Sequence, residues 1–262
     1  MEIGVQLYTV RQYTQNLDDF AATLKKVAAM GFKSVQVSYG AVCPFEPEWL
    51  RDQLQENGLI CAVTHIKTVE LPEKYEQMIK DHEIFGCRHI GIGGMPGPMK
   101  YSMEGYKEFC KTYIPVAEKM RDLGVKFQYH NHEYEFDKVY GTSVMELMME
   151  DFPADSVDFT LDVGWADFAG ADVLKLIDTM SGRLSRVHLK DHADIPADGS
   201  IEETRAYLRP VYEGKAPYDL YLPALKKAGC QYALIEQDKC YGEDPMICLE
   251  RSLRNIQDRG IL

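Results

Sequence analysis

The sequence predicts a single (β/α)8 barrel over residues 1–262, in which eight parallel strands form a closed cylinder inside a ring of helices. Eight short apolar runs alternate with amphipathic segments, and a glycine ends six of these segments just before the next run. Glycine adopts the left-handed conformation that ends helices at low cost. Strands that alternate with helices form parallel sheets, and a length of 262 residues is typical of an eight-stranded barrel.

The predicted strands are the eight apolar runs. They cover residues 3–9, 33–37, 59–65, 88–92, 125–131, 157–163, 185–190 and 231–237. The first helix is predicted over residues 17–30, where Phe20, Leu24 and Val27 recur at helical spacing behind Asn16, a favoured N-cap residue. The glycines that end the helical segments are Gly31, Gly58, Gly86, Gly124, Gly182 and Gly229. The repeating unit is therefore helix, glycine, strand.

A doubly wound open sheet is the alternative arrangement of alternating strands and helices. It needs a glycine-rich phosphate-binding turn after an early strand, whereas the first strand here continues into Tyr8-Thr9-Val10-Arg11. The closed barrel is therefore favoured. Two segments rich in glycine and proline, residues 93–98 and 194–217, follow the fourth and seventh strands. Loops at the carboxyl ends of barrel strands build the active site, so both segments are expected at its rim.

Composition limits the classes of partner. The formal charge of −12 and the pI near 5.1 leave no basic surface for nucleic acid or an anionic membrane. The sequence contains no run of 18 or more apolar residues, and its N-terminus enters a strand without a basic leader region. The seven cysteines include no C-x-x-C pair, which indicates reduced thiols. These features predict a cytoplasmic protein with a small-molecule partner, and they leave open whether it forms a homo-oligomer.

Carboxylates and imidazoles occupy inward-facing positions near the ends of four predicted strands. Successive strand side chains point to opposite faces, so the apolar positions identify the face turned toward the helices. The other face carries His130, with His132 beyond it, and then Asp162, His188, Lys190 and Glu236 in the last three strands. The ends of all barrel strands open onto one cavity, so these side chains are expected to converge there.

Buried carboxylates and imidazoles need partners, because an unpaired charge is costly to remove from water. One divalent cation would satisfy the four side chains that strand parity selects most clearly, which are His130, Asp162, His188 and Glu236. Mixed oxygen and nitrogen donors suit Mn²⁺, Co²⁺, Zn²⁺ or Mg²⁺. The alternative is that the group forms salt bridges with Lys190 or Arg186. The placement of three such residues at strand ends favours the metal.

Five motifs resemble those of the xylose isomerase-like barrel family, which holds sugar phosphate isomerases and epimerases, keto-sugar epimerases, inosose dehydratases and, more distantly, metal-dependent apurinic endonucleases. The motifs are Gly4-Val5-Gln6-Leu7-Tyr8-Thr9-Val10-Arg11, Tyr129-His130-Asn131-His132-x-x-Glu135-Phe136, Leu161-Asp162-Val163-Gly164-Trp165, His188-Leu189-Lys190-Asp191 and Ile235-Glu236-Gln237-Asp238. They extend over nearly the whole chain. Together they are specific for the family but not for one substrate.

The resemblance implies a divalent metal held by glutamate, aspartate, histidine and glutamate from successive strand ends, with the two glutamates also acting as acid and base. It places the last three ligands on Asp162, His188 and Glu236. The first position departs from the family pattern, because the corresponding inward residue is His130. Either Glu135 reaches back from the following loop or His130 itself is the ligand. We expect Glu135 in this role, although the departure weakens the case for a symmetric two-glutamate mechanism.

The resemblance also implies proton transfer on a keto-sugar or sugar phosphate. Isomerisation or epimerisation removes a proton from the carbon beside a carbonyl, and a metal stabilises the resulting enediolate. Glu236 is the candidate base or acid on one face of that carbon, and His130 or Glu135 on the other. Loss of a β-hydroxyl from the same enediolate would give a dehydratase. The candidates for binding substrate are His65, Gln6, Trp165, Lys190 and His132, with Tyr8 beside them.

Two further function classes remain as alternatives. Phosphodiester hydrolysis, as in the apurinic endonucleases, uses a larger cluster of metal ligands and a basic groove. Seven histidines on an acidic chain fit that chemistry poorly. A sugar-binding barrel without activity is the other alternative, and it would be favoured if Asp162 or Glu236 did not bind metal.

Overall fold

Eight parallel strands form a closed barrel in the computed structural model, which describes residues 1–139, 141–201, 203 and 205–260. The strands are β1 (Glu2–Gln6), β2 (Ser34–Ser38), β3 (Ile60–Ile66), β4 (His89–Ile92), β5 (Lys126–His130), β6 (Val157–Asp162), β7 (Arg186–Leu189) and β8 (Tyr232–Ile235). Each strand pairs with the next, and β8 pairs with β1 to close the cylinder. The predicted (β/α)8 barrel is confirmed.

Helices surround the barrel, and one apolar core fills the space between the two layers. Within the described residues the helices are α1 (Leu17–Ala29), α2 (Pro47–Glu56), α3 (Leu71–Ile84), α4 (Met103–Asp122), α5 (Val144–Asp151), α6 (Val163–Phe168), α7 (Val173–Thr179), α8 (Tyr218–Lys227) and α9 (Pro245–Asp258). None of these helices combines the length and apolarity needed to cross a membrane.

The first helix shows how closely local sequence signals set the element boundaries. The Asn16 side chain accepts a hydrogen bond from Asp19 N at 2.9 Å, so it is the predicted N-cap. Phe20, Leu24 and Val27 are buried, as their spacing predicted. The helix ends at Ala29, one residue before the predicted end.

Five predicted strands, the first and the fifth to eighth, extend past the observed strand ends, and two of them show the cause. The first strand ends at Gln6 because the Gln6 side chain accepts a hydrogen bond from Tyr8 N, and a 3-10 helix follows over Leu7–Tyr13. The sixth strand ends at Asp162, whose side chain accepts from Trp165 N and begins α6. Polar side chains at these strand ends capture the next backbone N–H groups and turn the chain into helix.

The two predicted loops lie at the carboxyl ends of their strands and contain short regular elements. The first includes a 3-10 turn over Gly97–Met99, and the second includes the strand Tyr207–Arg209, which pairs with Asp191–Ala193. Residues 202 and 204 of the second predicted loop lie outside the described residues. The Asp191 carboxylate accepts backbone N–H groups from Tyr212, Gly214 and Ala216. Asp191 therefore fixes the path of this loop.

All seven cysteines are free thiols, as predicted.

The interior of the barrel is polar at its centre. Gln36, Gln128, Thr160 and His188 are all fully buried. Gln128 satisfies its amide inside the barrel, because Thr160 donates to its oxygen at 3.3 Å and its nitrogen lies 2.9 Å from His89 Nδ1. These side chains form the layer directly beneath the strand ends.

A buried imidazole on α3 makes the stability of the fold sensitive to acid. His82 is fully buried, with Nδ1 2.6 Å from the Met78 carbonyl oxygen and Nε2 2.7 Å from the Thr64 hydroxyl. Burial lowers the pKa of His82 to about 4. An unfolded histidine has a pKa near 6.5, so between these values the unfolded chain binds more protons than the folded chain. Stability is therefore complete above pH 6.5 and falls as the pH drops toward 4.

We expect His82→Gln to reduce this acid sensitivity. The His82 pKa difference should cost about 2 kcal/mol of unfolding free energy between pH 7 and pH 5, and glutamine cannot take up that proton. Urea denaturation of both proteins at the two pH values measures the difference. An equal loss of stability in wild type and variant would contradict the assignment.

Candidate active site

Four side chains from four consecutive strands converge at the carboxyl end of the barrel. They are His130 at the end of β5, Asp162 at the end of β6, His188 in β7 and Glu236 directly after β8. One ligand atom from each lies within 4.8 Å of the others, and all four side chains are buried. Asp162 and His188 are direct neighbours in the register of β6 and β7. We call these four residues the inner cluster.

Asp162 is held rigidly in the inner cluster. Its backbone is clamped by Asn131, which accepts from Asp162 N at 2.9 Å and donates to its carbonyl oxygen at 3.2 Å. One carboxylate oxygen, Oδ1, caps α6 through Trp165 N. The other, Oδ2, lies 3.4 Å from His130 Nε2 and 3.7 Å from His188 Nδ1. Alternation along the predicted strand assigned Asn131 to the face opposite His130. Sequence reasoning therefore missed its supporting role.

Lys190 places a fully buried ammonium group directly beside the inner cluster. Its Nζ lies 3.1 Å from Asp162 Oδ2, 3.0 Å from Glu236 Oε2 and 2.7 Å from Asp238 Oδ2. The ring of Trp165 covers it at 4.6 Å. The neighbouring Asp191 is not among its partners, because the Asp191 carboxylate binds loop backbone. Lys190 is therefore an internal counter-ion of the inner cluster.

These buried charges shift the pKa values of the inner cluster. Burial acts to raise the pKa of Asp162 and Glu236, but the Lys190 ammonium outweighs it and holds both well below their usual range. Burial acts to lower the pKa of His188, but Glu236 and Asp162 raise it to about 9. Burial lowers the pKa of His130. At neutral pH both carboxylates are therefore ionised, and His130 is neutral.

The inner cluster fits a divalent cation. Three carboxylates surround the single Lys190 ammonium, so two negative charges are in excess when the imidazoles are neutral. His188 Nδ1 and Glu236 Oε2 are buried and lie 2.9 Å apart, and Lys190 Nζ lies 3.0 Å from the same oxygen. A divalent cation would cancel both charges and take the place of the proton that His188 otherwise binds. Two imidazole nitrogens and two carboxylate oxygens suit Mn²⁺, Co²⁺ or Zn²⁺ and are compatible with Mg²⁺.

The structure does not place Glu135, the expected first ligand, in the inner cluster. Tyr129 OH donates to Glu135 Oε1 at 2.6 Å, and His132 N donates to Oε2 at 2.8 Å. These bonds hold Glu135 in the 3-10 helix Glu133–Phe136, which begins just after β5 and turns the carboxylate away from the inner cluster. Burial raises the pKa of Glu135 to about 7, against the effect of these donors. His130, the other candidate for that position, is the residue of β5 that lies in the inner cluster.

This assignment predicts opposite effects of two substitutions on metal affinity. We expect Glu135→Gln to bind Mn²⁺ as wild type does, because its carboxylate lies outside the inner cluster. His130→Leu should weaken binding by more than about tenfold, since even residues that only support a ligand contribute that much. Titration calorimetry with Mn²⁺ measures both constants, with circular dichroism as the folding control. The reverse order would restore Glu135 as the first ligand.

A cavity of about 370 Å³ borders the inner cluster on the side of β1 to β4. Three of the predicted substrate-binding residues line it: Gln6, His65 and His132. Trp165 and Lys190 do not line the cavity. The Lys190 ammonium is buried against Asp162 and Glu236, and the Arg205 guanidinium covers the Trp165 ring at 4.5 Å. The cavity is also lined by Tyr8, Ser38, Lys67, Thr68 and Asp238.

The histidines of the cavity form one connected group. The His65 ring lies 5.1 Å from that of His130 and 5.5 Å from that of His188, and the His132 ring lies 4.8 Å from His130. His65 Nε2 and His132 Nδ1 are buried without a hydrogen bond. Burial lowers the pKa of His65 and His132 well below the usual value. Two neutral imidazoles with unused nitrogens therefore adjoin the inner cluster.

Comparison with known proteins places this geometry in a family. The family described as xylose isomerase-like TIM barrel matches residues 24–246. A sugar phosphate isomerase/epimerase from Parabacteroides distasonis ATCC 8503 superposes with a TM-score of 0.79 at 18% identity, covering 99% of this chain and 95% of that one. The probable 3-DHS dehydratase AsbF from Bacillus anthracis gives 0.74 at 15% identity, with 99% and 100% covered. A D-allulose 3-epimerase from Methylomonas sp. gives 0.69 at 14% identity, with 99% and 98% covered. No curated protein sequence matches the chain significantly.

Proposed function

Because the chain belongs to the xylose isomerase-like TIM barrel family, we propose that it is a divalent-metal-dependent isomerase or epimerase of a keto-sugar. The observation that carries the proposal is the inner cluster, in which four buried ligand atoms face one another at the edge of a polar cavity. Its residues would hold Mn²⁺, Co²⁺, Zn²⁺ or Mg²⁺. A divalent cation held there would act as a Lewis acid toward the carbonyl group of a substrate.

The cavity suits a small polyhydroxylated substrate. Its volume of about 370 Å³ lies at the lower end of the range for small-molecule sites. Gln6, Ser38 and Thr68 offer neutral donors and acceptors, and His65 offers an unused imidazole nitrogen. Such groups match the hydroxyls of a sugar. We propose that these residues bind and orient the substrate, with Lys190 acting from behind Glu236 to keep its carboxylate ionised.

Glu236 and His130 are the proposed acid and base. Glu236 lines the cavity as an ionised carboxylate, so it can accept the proton from the carbon beside the carbonyl. His130 also lines the cavity. With one ring nitrogen on the metal, its other nitrogen carries the hydrogen and can donate it at another position of the same substrate. The relative placement of the two groups around the substrate carbon would decide between isomerisation and epimerisation.

A dehydratase is the second candidate function. Elimination of a hydroxyl next to the enediolate needs a proton donor near the leaving oxygen. His132 and His65 line the cavity beside His130 and Glu236, and either imidazole could fill that role. The substrate would then be a keto-inositol or a 3-keto-glycoside, with the same residues holding the metal.

Deuterium exchange tests the proposed function directly. Metal-loaded protein would be incubated in D₂O with ketoses, keto-inositols and 3-keto-glycosides. We expect deuterium to appear at the carbon beside the carbonyl of at least one compound, and to be absent after treatment with a chelator. Product analysis then separates epimerase and isomerase from dehydratase. Exchange with no compound would refute the proposal in favour of a sugar-binding barrel without activity.

A further inference from the structure

We propose that Gln36 is a positioning residue that fixes the hydrogen of the His188 ring on Nε2 and so reserves Nδ1 for the metal ion. This inference rests on the metal dependence in the proposed function. Gln36 lies in the middle of β2, three strands around the barrel from β7. Sequence reasoning did not single it out.

The contact between the two side chains is short and fully enclosed. Gln36 Oε1 lies 2.7 Å from His188 Nε2, and neither residue is exposed to solvent. The opposite ring nitrogen, His188 Nδ1, faces the inner cluster, 2.9 Å from Glu236 Oε2 and 3.7 Å from Asp162 Oδ2. The imidazole therefore spans the space between the barrel interior and the inner cluster, with one nitrogen toward each.

A carbonyl oxygen can only accept a hydrogen bond, so the ring nitrogen facing it must carry the hydrogen. A neutral imidazole has one such hydrogen, and His188 then presents a lone pair at Nδ1. With the other tautomer, a lone pair at Nε2 would face the amide oxygen, and an N–H at Nδ1 would block metal binding. An acceptor that binds the ring N–H opposite the metal sets the tautomer and orientation of metal-bound histidines in general.

Two features indicate that this contact is the main role of Gln36. Its amide nitrogen is buried without a hydrogen bond, so within the described residues no polar network requires a glutamine here. Gln128, the other glutamine at the barrel centre, instead uses both ends of its amide on Thr160 and His89. A neutral amide also adds no charge to a cluster that already carries excess negative charge.

Three variants test the role of Gln36. Gln36→Leu removes the acceptor at similar volume, and Gln36→Glu keeps an oxygen acceptor. Gln128→Leu is the matched control, because Gln128 is also fully buried inside the barrel. We expect Gln36→Leu to bind Zn²⁺ about 10- to 100-fold more weakly than wild type. Gln36→Glu should restore the affinity, and Gln128→Leu should leave it unchanged. Competition titration with a chromophoric chelator measures the three constants.

Long-range ¹H–¹⁵N spectra of histidine-labelled, Zn²⁺-loaded protein report which ring nitrogen of His188 carries the hydrogen. A purely structural role of Gln36 would leave this pattern unchanged. Wild type should show His188 with a protonated Nε2 and a metal-bound Nδ1, and Gln36→Leu should lose that pattern or show both tautomers. The proposal is overturned if Gln36→Leu keeps wild-type affinity and spectrum, if Gln128→Leu weakens binding equally, or if wild type binds no Zn²⁺. Tight Zn²⁺ binding without deuterium exchange would instead refute only the proposed reaction.

Discussion

Glu236→Gln is expected to abolish metal-dependent deuterium exchange while the protein stays folded. Glutamine has nearly the same volume as glutamate, but its amide cannot accept the proton that the proposed reaction removes. Loss of a general acid or base typically slows a reaction by about 10²- to 10⁴-fold. Glu236 also belongs to the inner cluster, so the variant should bind the metal more weakly. Exchange must therefore be measured at metal concentrations that saturate the variant.

Glu135→Gln is the matched control for Glu236→Gln. Both glutamates are buried near the mouth of the barrel, but the Glu135 carboxylate bonds to Tyr129 OH and His132 N, outside the inner cluster. We expect this control to retain exchange. The Lys190 ammonium keeps Asp162 and Asp238 as partners when Glu236 is neutral, so Glu236→Gln should fold. A folded, metal-saturated Glu236→Gln protein with wild-type exchange would remove Glu236 from the mechanism.

Sequence reasoning worked best for residues within strands or at their ends. Asp162 and His188 were found because side chains alternate strictly in a strand, and a barrel brings every inward strand end to one place. The same rule could not place Glu135. It follows the end of β5, where a 3-10 helix replaces the strand and alternation no longer gives a direction.

Two other features of the site, the contacts of Gln36 and of Lys190, form only when the barrel closes. No pattern in the neighbouring sequence predicts them. Gln36 and His188 are 152 residues apart and meet only across its interior. A glutamine within a buried strand is otherwise indistinguishable from a residue that fills the barrel. Lys190 was expected to face the substrate, but its long side chain turns to three carboxylates at the ends of two strands, β6 and β8. Sequence parity gives the direction of a side chain and not the partner that it reaches.

Gly164→Ala is expected to disrupt the inner cluster without touching any of its side chains. Gly164 lies in the first turn of α6, two residues after Asp162. A Cβ atom at this position would lie 1.9 Å from the Lys190 carbonyl oxygen and 2.6 Å from its carbonyl carbon. No rotation of a side chain relieves a contact with backbone, so α6 must move away from the segment that follows β7. That movement would draw Asp162 away from His188.

The expected cost of Gly164→Ala is about 3 kcal/mol of unfolding free energy, together with loss of metal affinity. The Lys190 carbonyl oxygen cannot shift freely to make room, because Tyr218 OH donates to it at 2.7 Å. Gly97→Ala is the matched control, since an added Cβ there meets no atom within 4 Å. Urea denaturation and Mn²⁺ titration of both variants measure the two effects. Wild-type stability and metal affinity in Gly164→Ala would show that the spacing between α6 and Lys190 is not what holds Asp162 in place.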